Sequence, residues 1–363
     1  MKIVFGHQIF SVQKYGGISR YFYELARNIE NISDNKIEVF SPFYINEYLL
    51  KSQSNGFKVI GPNNVGQIIT RLNSLASKLF IYPRDDINIY HETYYSSQNN
   101  CPKSAANIVT VFDMVHEKFP SMFTTNDKTK QNKINSIKRA EHVICISKNT
   151  QKDLIEILGI DEGKTSVVHL GNSLTLKVSG DTYPDIPEPF ILFVGKRGGY
   201  KNFKNLIIAY ANSKILRNNF FIVCFGGGKF SKQELNFIIS MKIKIKFIKY
   251  FEGDDKMLSY LYSAAAIFVY PSLYEGFGIP PLEAMFQGCP VVCSKTSSIP
   301  EVVGDAGILF NPYEPSEISD AIEQVVSSAS TYNQMVDSGV KRSKEFSWKK
   351  CAAKTLRIYD NYK

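Results

Sequence analysis

The stretch from Tyr270 to Met285 constrains the fold more than any other part of the chain. The apolar, β-branched run at 266–270 predicts a buried strand, and a helix is predicted over 282–287. Between them, Gly276 and Gly278 allow the backbone to turn tightly and to approach a ligand without a Cβ in the way. A buried strand, a glycine loop and a helix therefore follow one another within a few residues.

The start of this helix is a candidate anion site. Pro280 and Pro281 suit the first helical positions, where a missing N–H costs nothing. The unpaired N–H groups of a first turn and the helix dipole both favour negative charge there. Two carboxylates, Glu275 and Glu283, flank the loop, and because carboxylates repel phosphate, they suit the hydroxyl groups of a ribose or a hexose. A structural turn with a capping glutamate is the alternative that the spacing leaves open.

Length and charge limit the class of protein. The chain has 363 residues, enough for two domains, and it is 44% hydrophobic and 21% charged, as expected for a globular protein. Its formal charge of +9 suits nucleic acid, anionic lipid or a phosphorylated substrate. No zinc-ligand spacing and no aromatic-basic run typical of an RNA-binding module occurs, so no nucleic-acid partner is expected.

The cysteines and the apolar runs predict a cytoplasmic protein. Six scattered cysteines lack the spacing of a metal site, which favours a reducing compartment. The apolar run at 1–6 is too short for a signal peptide. No stretch approaches the roughly 18 apolar residues of a membrane span, so we expect any membrane contact to be peripheral, at the inner face of the cell membrane.

Strands alternate with helices through the first half of the chain, which predicts an α/β fold with a parallel sheet. A loop is predicted over 8–15, and Gly16 and Gly17 open a helix that runs to about Glu30. Ligands of parallel sheets bind beyond the carboxyl ends of the strands, where Asp113 and His116 lie. The predicted strands are 2–7, 37–40, 58–60, 87–91, 108–113 and 142–146.

A second α/β pattern begins after residue 189. Between 171 and 189 the periodicity is lost and Gly180 stands among several prolines, which indicates an interdomain linker. A strand at 190–195 then leads into a basic turn. A second strand at 220–225 is followed by three glycines.

The motif around Glu275 resembles that of glycosyltransferase family 4, because Glu275 lies in the run Pro271–Gly278 and seven residues separate it from Glu283. The resemblance extends through most of the chain. It implies the GT-B fold, in which two Rossmann-like domains face each other across a cleft. It also implies an enzyme that moves a sugar from a nucleotide-sugar donor to an acceptor.

The resemblance implies that the chain is divided into four parts. The first is an acceptor-binding Rossmann-like domain, and a linker follows it. The third is a nucleotide-sugar-binding domain, and the last is a helix that packs back on the first domain. Their expected bounds are 1–172, 173–189, 190–345 and 346–363.

Two cations of the basic turn are expected to bind the donor diphosphate. In the family a lysine stands six residues after the strand glycine, as Lys201 does after Gly195. Lys201 and Arg197 would compensate the negative charge that grows on the leaving diphosphate, and Lys196 is a substitute for the arginine. A solvated basic turn is the alternative reading of these residues.

The resemblance implies different roles for the two glutamates. Glu283 would hold the ribose hydroxyls, and Glu275 would orient the transferred sugar. Gly276, Phe277 and Gly278 would offer backbone N–H groups to that sugar.

Further donor and acceptor contacts are expected elsewhere. Gly16 and Gly17 resemble the loop that faces the donor phosphates, and Gly195 and Gly226 would complete the donor site. Many relatives carry a histidine where this chain has Phe112, so Asp113 and His116 are the nearest polar candidates for the sugar and the acceptor hydroxyl. For His116, a helix-capping or packing role is the alternative.

The expected reaction needs neither a metal nor a cofactor beyond the nucleotide-sugar substrate. No Asp-x-Asp motif occurs, and in GT-B enzymes cationic side chains and a helix dipole replace the metal. The family retains the anomeric configuration.

Variants near Gly17 and Lys201 resemble bacterial mannosyltransferases, which favours GDP-mannose and a glycan or lipid-linked acceptor in surface polysaccharide synthesis, such as lipopolysaccharide O-antigen. A nucleotide-sugar epimerase, a sugar phosphorylase and a non-catalytic nucleotide-binding partner protein are the alternatives.

Overall fold

The computed structural model describes residues 1–49, 54, 56–61, 65–176 and 183–362. The chain divides into two compact units, Met1–Gly171 with Ser347–Lys363, and Asn172–Phe346. The segment expected to be a linker, 173–189, is grouped with the second unit, and Gly180 lies outside the described residues.

The first unit is built on a parallel sheet. Its strands are β1 (Lys2–Phe5), β2 (Lys36–Val39), β3 (Phe43–Tyr44), β4 (Phe57–Lys58), β5 (Ile89–Glu92), β6 (Ala106–Val111), β7 (His142–Cys145) and β8 (Thr165–Val167). Six of them form the sheet in the order β2-β1-β5-β6-β7-β8, and β3 pairs with β4 separately. Every pair in the six-stranded sheet is parallel. Strands β5 and β7 bury all their side chains, as expected when helices cover both faces of a parallel sheet.

The described residues before 171 include six helices of the first unit. They are α1 (Gln8–Val12), α2 (Gly17–Ile32), α3 (Val65–Phe80), α4 (Val115–Lys118), α5 (Thr129–Arg139) and α6 (Lys148–Leu158). The Ser147 side chain accepts a hydrogen bond from the backbone N–H of Thr150 and so caps the N-terminus of α6.

The predicted loop over 8–15 is wrong, because its first half forms α1. The backbone N–H of Ile9 donates to Thr93 Oγ1 at 3.1 Å, and Ile9 and Phe10 are buried. This single turn is therefore fixed by contacts with a residue far along the chain. A five-residue helix is too short to show a 3.6-residue apolar period.

The second unit repeats the plan with a second parallel sheet. Its strands are β9 (Phe190–Val194), β10 (Phe221–Phe225), β11 (Ile248–Phe251), β12 (Ile267–Tyr270), β13 (Val291–Ser294) and β14 (Ile308–Phe310). Their order is β11-β10-β9-β12-β13-β14, and all neighbours are parallel. The predicted α/β fold is confirmed in both halves of the chain.

In the part of the second unit that the structure describes, eight helices accompany the sheet. They are α7 (Phe203–Asn212), α8 (Lys214–Asn219), α9 (Lys232–Ser240), α10 (Asp255–Ala264), α11 (Ile279–Phe286), α12 (Ile299–Val303), α13 (Pro315–Val326) and α14 (Ala329–Ser343). The core between sheet and helices includes Phe193, Leu206, Ile222 and Ile322, all of them buried. Short 3₁₀ turns lie at Pro120–Met122, Glu162–Lys164, Gly199–Lys201, Ile245–Phe247 and Gly304–Ala306.

The last helix, α15 (Trp348–Asp360), belongs to the first unit. The Trp348 ring packs near Tyr21 of α2, and Tyr359 Oη lies 2.5 Å from Nδ1 of the buried His91. The aromatic residues of this helix therefore fill the first unit's core, as the prediction that the tail packs back on the first domain requires.

Candidate functional site

The loop between β12 and α11 is held by a buried serine that the sequence analysis did not identify. Ser298 Oγ lies 2.8 Å from the carbonyl oxygen of Glu275 and 2.7 Å from that of Phe277, so both carbonyls share its proton. The backbone N–H of Glu275 donates to Ser297 Oγ at 2.9 Å. Gly278 has φ of 126°, a conformation that glycine adopts without a steric penalty. The backbone on both sides of Glu275 is therefore fixed by side chains.

Helix α11 begins earlier than the sequence predicts. Its N-cap is Gly278 and its first residue is Ile279, whereas the predicted start is Leu282. Pro280 and Pro281 lie in the first turn, as expected, because their missing N–H groups would have no partner there. The helix N-terminus thus follows the glycine loop directly.

The predicted helix start at Leu282 would put Glu283 in the first turn, and this placement is wrong. Since α11 starts at Ile279, Glu283 is its fifth residue and lies in the second turn. Its carboxylate is buried, and Tyr262 Oη donates to Oε2 at 3.3 Å. Burial, together with this carboxylate, raises the pKa of Tyr262 well above its ordinary value. Tyr262 therefore stays a neutral donor and orients the Glu283 side chain.

Two residues predicted for the donor site form an ion pair with each other. Lys201 Nζ lies 2.6 Å from Glu275 Oε1, and it also donates to Tyr270 Oη at 3.1 Å. The side chains of Lys201 and Glu275 are 19% and 13% exposed, so the pair is shielded yet open to a ligand. Burial and the neighbouring carboxylate raise the pKa of Tyr270 well above its ordinary value. A fixed cation and a fixed carboxylate therefore stand together at the head of the glycine loop.

Asn202 ties the lysine turn to the glycine loop. Its side-chain amide donates to the carbonyl oxygens of Pro271 at 3.0 Å and Pro312 at 2.7 Å. Its backbone has φ of 58°, in the left-handed region that asparagine tolerates better than most residues. Next to it, the backbone N–H of Leu273 donates to the carbonyl of Tyr200 at 2.7 Å. Lys201 is thus held at a fixed distance from the loop that carries Glu275.

Arg197 has partners that differ from the predicted phosphate contact. Its side chain is 2% exposed, and Nε donates to Glu234 Oε1 at 2.8 Å. Its terminal nitrogens donate to the carbonyls of Gly226 at 3.1 Å, Gly228 at 2.7 Å and Lys229 at 3.0 Å. Arg197 turns inward because residues 226–228 all have positive φ, and this loop conformation directs its carbonyls toward the guanidinium. In this structure Arg197 fixes the loop after β10.

The predicted donor-site glycines of two neighbouring strands come together. Gly195 donates its N–H to the carbonyl of Phe225 at 2.9 Å, and a Cβ on Gly227 would lie 2.8 Å from the carbonyl oxygen of Gly195. Only glycine therefore fits this approach between the loops after β9 and β10. Gly226 stands beside Gly195, and Lys196 is exposed at the same edge.

Gly16 and Gly17 open α2 in the first unit, as the sequence predicts. A Cβ on Gly16 would lie 2.4 Å from the Gln13 side chain. Gln13 needs this space, because its Oε1 accepts the backbone N–H of Ser19 at 2.9 Å in the first turn of α2. The glycine therefore makes room for a side-chain cap.

The environment of Asp113 contains a lysine that the sequence analysis missed. Lys133 is fully buried, and its Nζ donates to the backbone carbonyl of Asp113 and to Glu117 Oε2, each at 2.8 Å. The Asp113 carboxylate lies 3.8 Å from the same Nζ and accepts the N–H of Val115 at 3.1 Å. A buried lysine in a polar helix leaves no distinguishing pattern in the sequence, since most lysines are exposed.

His116 contacts an aromatic ring and a carboxylate. Its ring stacks on Phe123 at 3.9 Å between centroids, and Nε2 lies 3.4 Å from Asp127 Oδ2. Its Nδ1 is buried with no hydrogen-bond partner among the described residues. A hydrogen bond from Thr129 is the largest cause that lowers the pKa of Asp127, and His116 adds to it. His116 therefore packs against an aromatic ring, as in the alternative role considered for it, and it also contacts the Asp127 carboxylate.

Asp127 lines a cavity of about 910 Å³ in the first unit. The cavity lies beyond the carboxyl ends of β1 and β5, where Gln8, Tyr94 and Tyr95 form part of its wall. Amides and hydroxyls make up most of the remaining lining, and Arg71 and Lys78 of α3 add positive charge. Aromatic rings beside amide and hydroxyl groups suit a saccharide. The other lining residues are Val12, Gln67, Thr70, Ser74, Leu75, Ser96, Ser97, Gln98, Asn126, Lys128, Thr129 and Asn132.

Among the described residues, none of the helices combines the length and the hydropathy that a membrane span needs. No group of three or more histidine, cysteine, aspartate or glutamate side chains in that part of the chain is arranged to hold a metal ion. The six cysteines are free and buried.

Two family profiles match the chain. The profile described as "Glycosyl transferases group 1" matches residues 184–342, and the one described as "Glycosyltransferase Family 4" matches residues 15–175. Together they match most of both units, and the last helix, α15, lies outside them.

Curated relatives and solved structures agree with these profiles. The chain is 46% identical over 115 residues to the O-antigen chain mannosyltransferase B of Escherichia coli. The aligned region covers 32% of this chain and 30% of the relative. It is 31% identical over 206 residues to the O-antigen chain mannosyltransferase RfbU of Salmonella typhimurium, covering 55% and 56%. The matches thus span less than two thirds of these relatives. The structure of sucrose-phosphate synthase from Thermosynechococcus elongatus aligns with a TM-score of 0.75 at 17% identity, over 99% of this chain and 98% of the other.

Proposed function

Because the chain belongs to glycosyltransferase family 4 and has the GT-B fold, we propose that it transfers a hexose from a nucleotide-sugar to a glycan or lipid-linked saccharide. The reaction retains the anomeric configuration in this proposal. We further propose that it serves surface polysaccharide synthesis at the cytoplasmic face of the membrane. The names of the O-antigen mannosyltransferases above support this assignment.

The observation that carries the proposal is the Lys201–Glu275 pair at the head of the glycine loop. A leaving nucleoside diphosphate gains negative charge in the transition state, and a fixed cation stabilises that charge without reorganisation. Lys201 supplies this cation, and the N–H groups at the start of α11 add to it. Glu275 faces the sugar, where positive charge develops at the anomeric carbon.

Glu283 binds the ribose in this proposal. Its carboxylate is buried and oriented by Tyr262, which suits two neighbouring hydroxyl groups. The cation Lys201 takes the place of a divalent metal at the diphosphate, so the reaction needs no metal. The proposed donor is GDP-mannose, and the support for mannose is the naming of the relatives.

The acceptor binds to the first unit in this proposal. The cavity beside Tyr94 and Tyr95 offers aromatic faces, amides and hydroxyls, the groups that recognise saccharides. Asp127 lies in its wall, and His116 orients that carboxylate from behind. Asp113 is held by Lys133 at the same sheet edge.

Incubation of the purified protein with a panel of labelled nucleotide-sugars tests the proposal. With GDP-mannose and a mannose-terminated acceptor, we expect a longer product whose new linkage keeps the donor's anomeric configuration by NMR. Altered donor recovered without any acceptor would instead identify an epimerase. Binding of nucleotide without any turnover, across the whole panel, would identify a non-catalytic binding protein.

A further inference from the structure

Helix α3 (Val65–Phe80) carries an apolar face that points to solvent. Ile68, Leu72, Leu75 and Leu79 are 59%, 47%, 60% and 69% exposed. Their spacing of four, three and four residues places them on one side of an α-helix. Such a continuous apolar face on a surface helix marks an interaction site.

The opposite side of α3 is polar and buried, so the helix is fixed with its apolar face outward. The Asn73 side chain accepts the N–H of Phe43 at 3.0 Å and donates to the carbonyl of the same residue at 2.7 Å. It also donates to Ser11 Oγ at 2.9 Å. Ser77 is buried on the same side. Rotation of the helix to bury its leucines would break these hydrogen bonds.

The charges on α3 are all positive. Arg71 and Lys78 are exposed on the flank of the apolar face, and the helix contains no Asp or Glu. Neither cation forms an ion pair with any other described residue. Both also line the cavity, as does Leu75, so the cavity adjoins the apolar face.

We propose that α3 docks the protein on the surface of an anionic lipid bilayer. An interfacial helix places its apolar side chains about 5–10 Å into the headgroup and acyl boundary, with Lys and Arg at its edge. The exposed face of α3 has this composition. The proposal rests on the proposed function, because docking matters when the acceptor is lipid-linked.

A second copy of this chain fits the same face less well. A twofold contact through α3 would bring the cations of one copy toward those of the other, with no carboxylate on the helix to compensate. Anionic headgroups, in contrast, match Arg71 and Lys78, and each such cation strengthens binding about fivefold. Docking in this way would set the cavity mouth beside the lipid headgroups.

Exposed apolar residues next to α3 extend the surface. Val12 is 45% exposed, and the helix packs close to it at Gly66, where a Cβ would lie 2.9 Å from the carbonyl oxygen of Ser11. Phe80, the last residue of the helix, is also exposed. The docking surface therefore comprises α3 and the end of α1.

Vesicle co-sedimentation with the full-length chain tests the docking. We expect wild-type protein to bind phosphatidylcholine vesicles that contain phosphatidylglycerol, and binding should weaken as salt screens the charges. The variant Leu72→Gln/Leu79→Gln should bind at least tenfold more weakly, because neither residue lines the cavity and both lose apolar contact with lipid. The matched control Ile157→Gln/Ile239→Gln changes two exposed residues of α6 and α9 and should bind like wild type.

Three results would overturn the docking proposal. The first is unchanged vesicle binding by Leu72→Gln/Leu79→Gln, and the second is equal binding to vesicles with and without phosphatidylglycerol. The third is a wild-type dimer that this variant converts to monomer, which would assign the face to a second copy.

Activity on a soluble oligosaccharide acceptor separates this proposal from the proposed function. The variant should keep that activity while it loses vesicle binding. Normal vesicle binding by a wild-type protein that transfers no hexose would refute the proposed function alone.

Discussion

Replacement of Lys201 tests the proposed chemistry most directly. Lys201→Met keeps most of the length of the side chain and removes the ammonium group, whose nitrogen lies 2.6 Å from Glu275 Oε1. If the lysine also contacts the leaving diphosphate, its loss removes a fixed donor from the transition state. Loss of one such donor costs about 3–4 kcal/mol, so turnover should fall about a hundredfold to a thousandfold.

The same substitution also has a structural cost that must be separated from catalysis. Glu275 is only 13% exposed, and without its cation it becomes a shielded, unpaired carboxylate. An unmade hydrogen bond to a charged group is worth about 1.5–3 kcal/mol of unfolding free energy. The double variant Lys201→Met/Glu275→Gln removes both charges and should recover most of that stability.

Stability and turnover of the single and double variants therefore distinguish the two roles. We would measure urea unfolding and steady-state kinetics, with the exposed Lys204→Met as a control for the loss of one positive charge. We expect the double variant to regain stability but not turnover. Recovery of turnover together with stability, or near-normal turnover in Lys201→Met, would show that the lysine only neutralises Glu275.

Three further predictions concern the glutamates, the buried histidines and metal. Glu283→Ala should raise the donor KM and lower the affinity for free nucleotide about tenfold to a hundredfold, whereas Glu275→Gln should lower kcat and leave nucleotide affinity unchanged. Calorimetry and steady-state kinetics on both variants measure these effects. An equal loss of nucleotide affinity in the two variants would contradict the prediction. Burial lowers the pKa of His7 and of His91 to about 3, so below pH 6.5 the unfolded chain binds protons that the folded one does not, and the unfolding free energy should fall by about 2 kcal/mol per histidine at pH 5. Urea unfolding at pH 7.5 and 5 measures this fall, and His7→Gln should reduce it. Activity should persist in excess EDTA, since Lys201 supplies the charge at the diphosphate; complete loss, restored by magnesium or manganese, would contradict that role.

The strands were predictable because a parallel sheet is buried on both faces. Runs such as Phe190–Val194 and Ile267–Tyr270 are apolar at every position and short, as expected for strands that are buried on both faces. The orientation of helix α3 was not predictable, because the usual rule buries the apolar face of an amphipathic helix. Its leucines face solvent while Asn73 and Ser77 face the core, and this arrangement depends on a hydrogen bond to Phe43 that no local pattern reveals.

Residue types at the site were predictable, but their partners were not. A sequence places Arg197 and Lys201 in one basic turn and cannot tell which of them turns inward. The structure separates them because the glycines at 226–228 present their carbonyls to Arg197, while Lys201 reaches Glu275. One cation therefore stabilises the loop after β10, and the other remains beside the glycine loop that carries Glu275.

The position of the Lys201–Glu275 pair depends on side chains that need not touch substrate. Asn202 joins the lysine turn to the carbonyls of Pro271 and Pro312, and Ser298 fixes the carbonyl of Glu275 from the other side. These bonds link residues more than twenty positions apart in the chain, so only the assembled sheet brings them together. Because these bonds hold the pair in place, the proposed reaction would need little reorganisation when charge develops, as electrostatic catalysis requires. The spacing between Glu275 and Glu283 identifies the loop, whereas Asn202 and Ser298 determine its geometry.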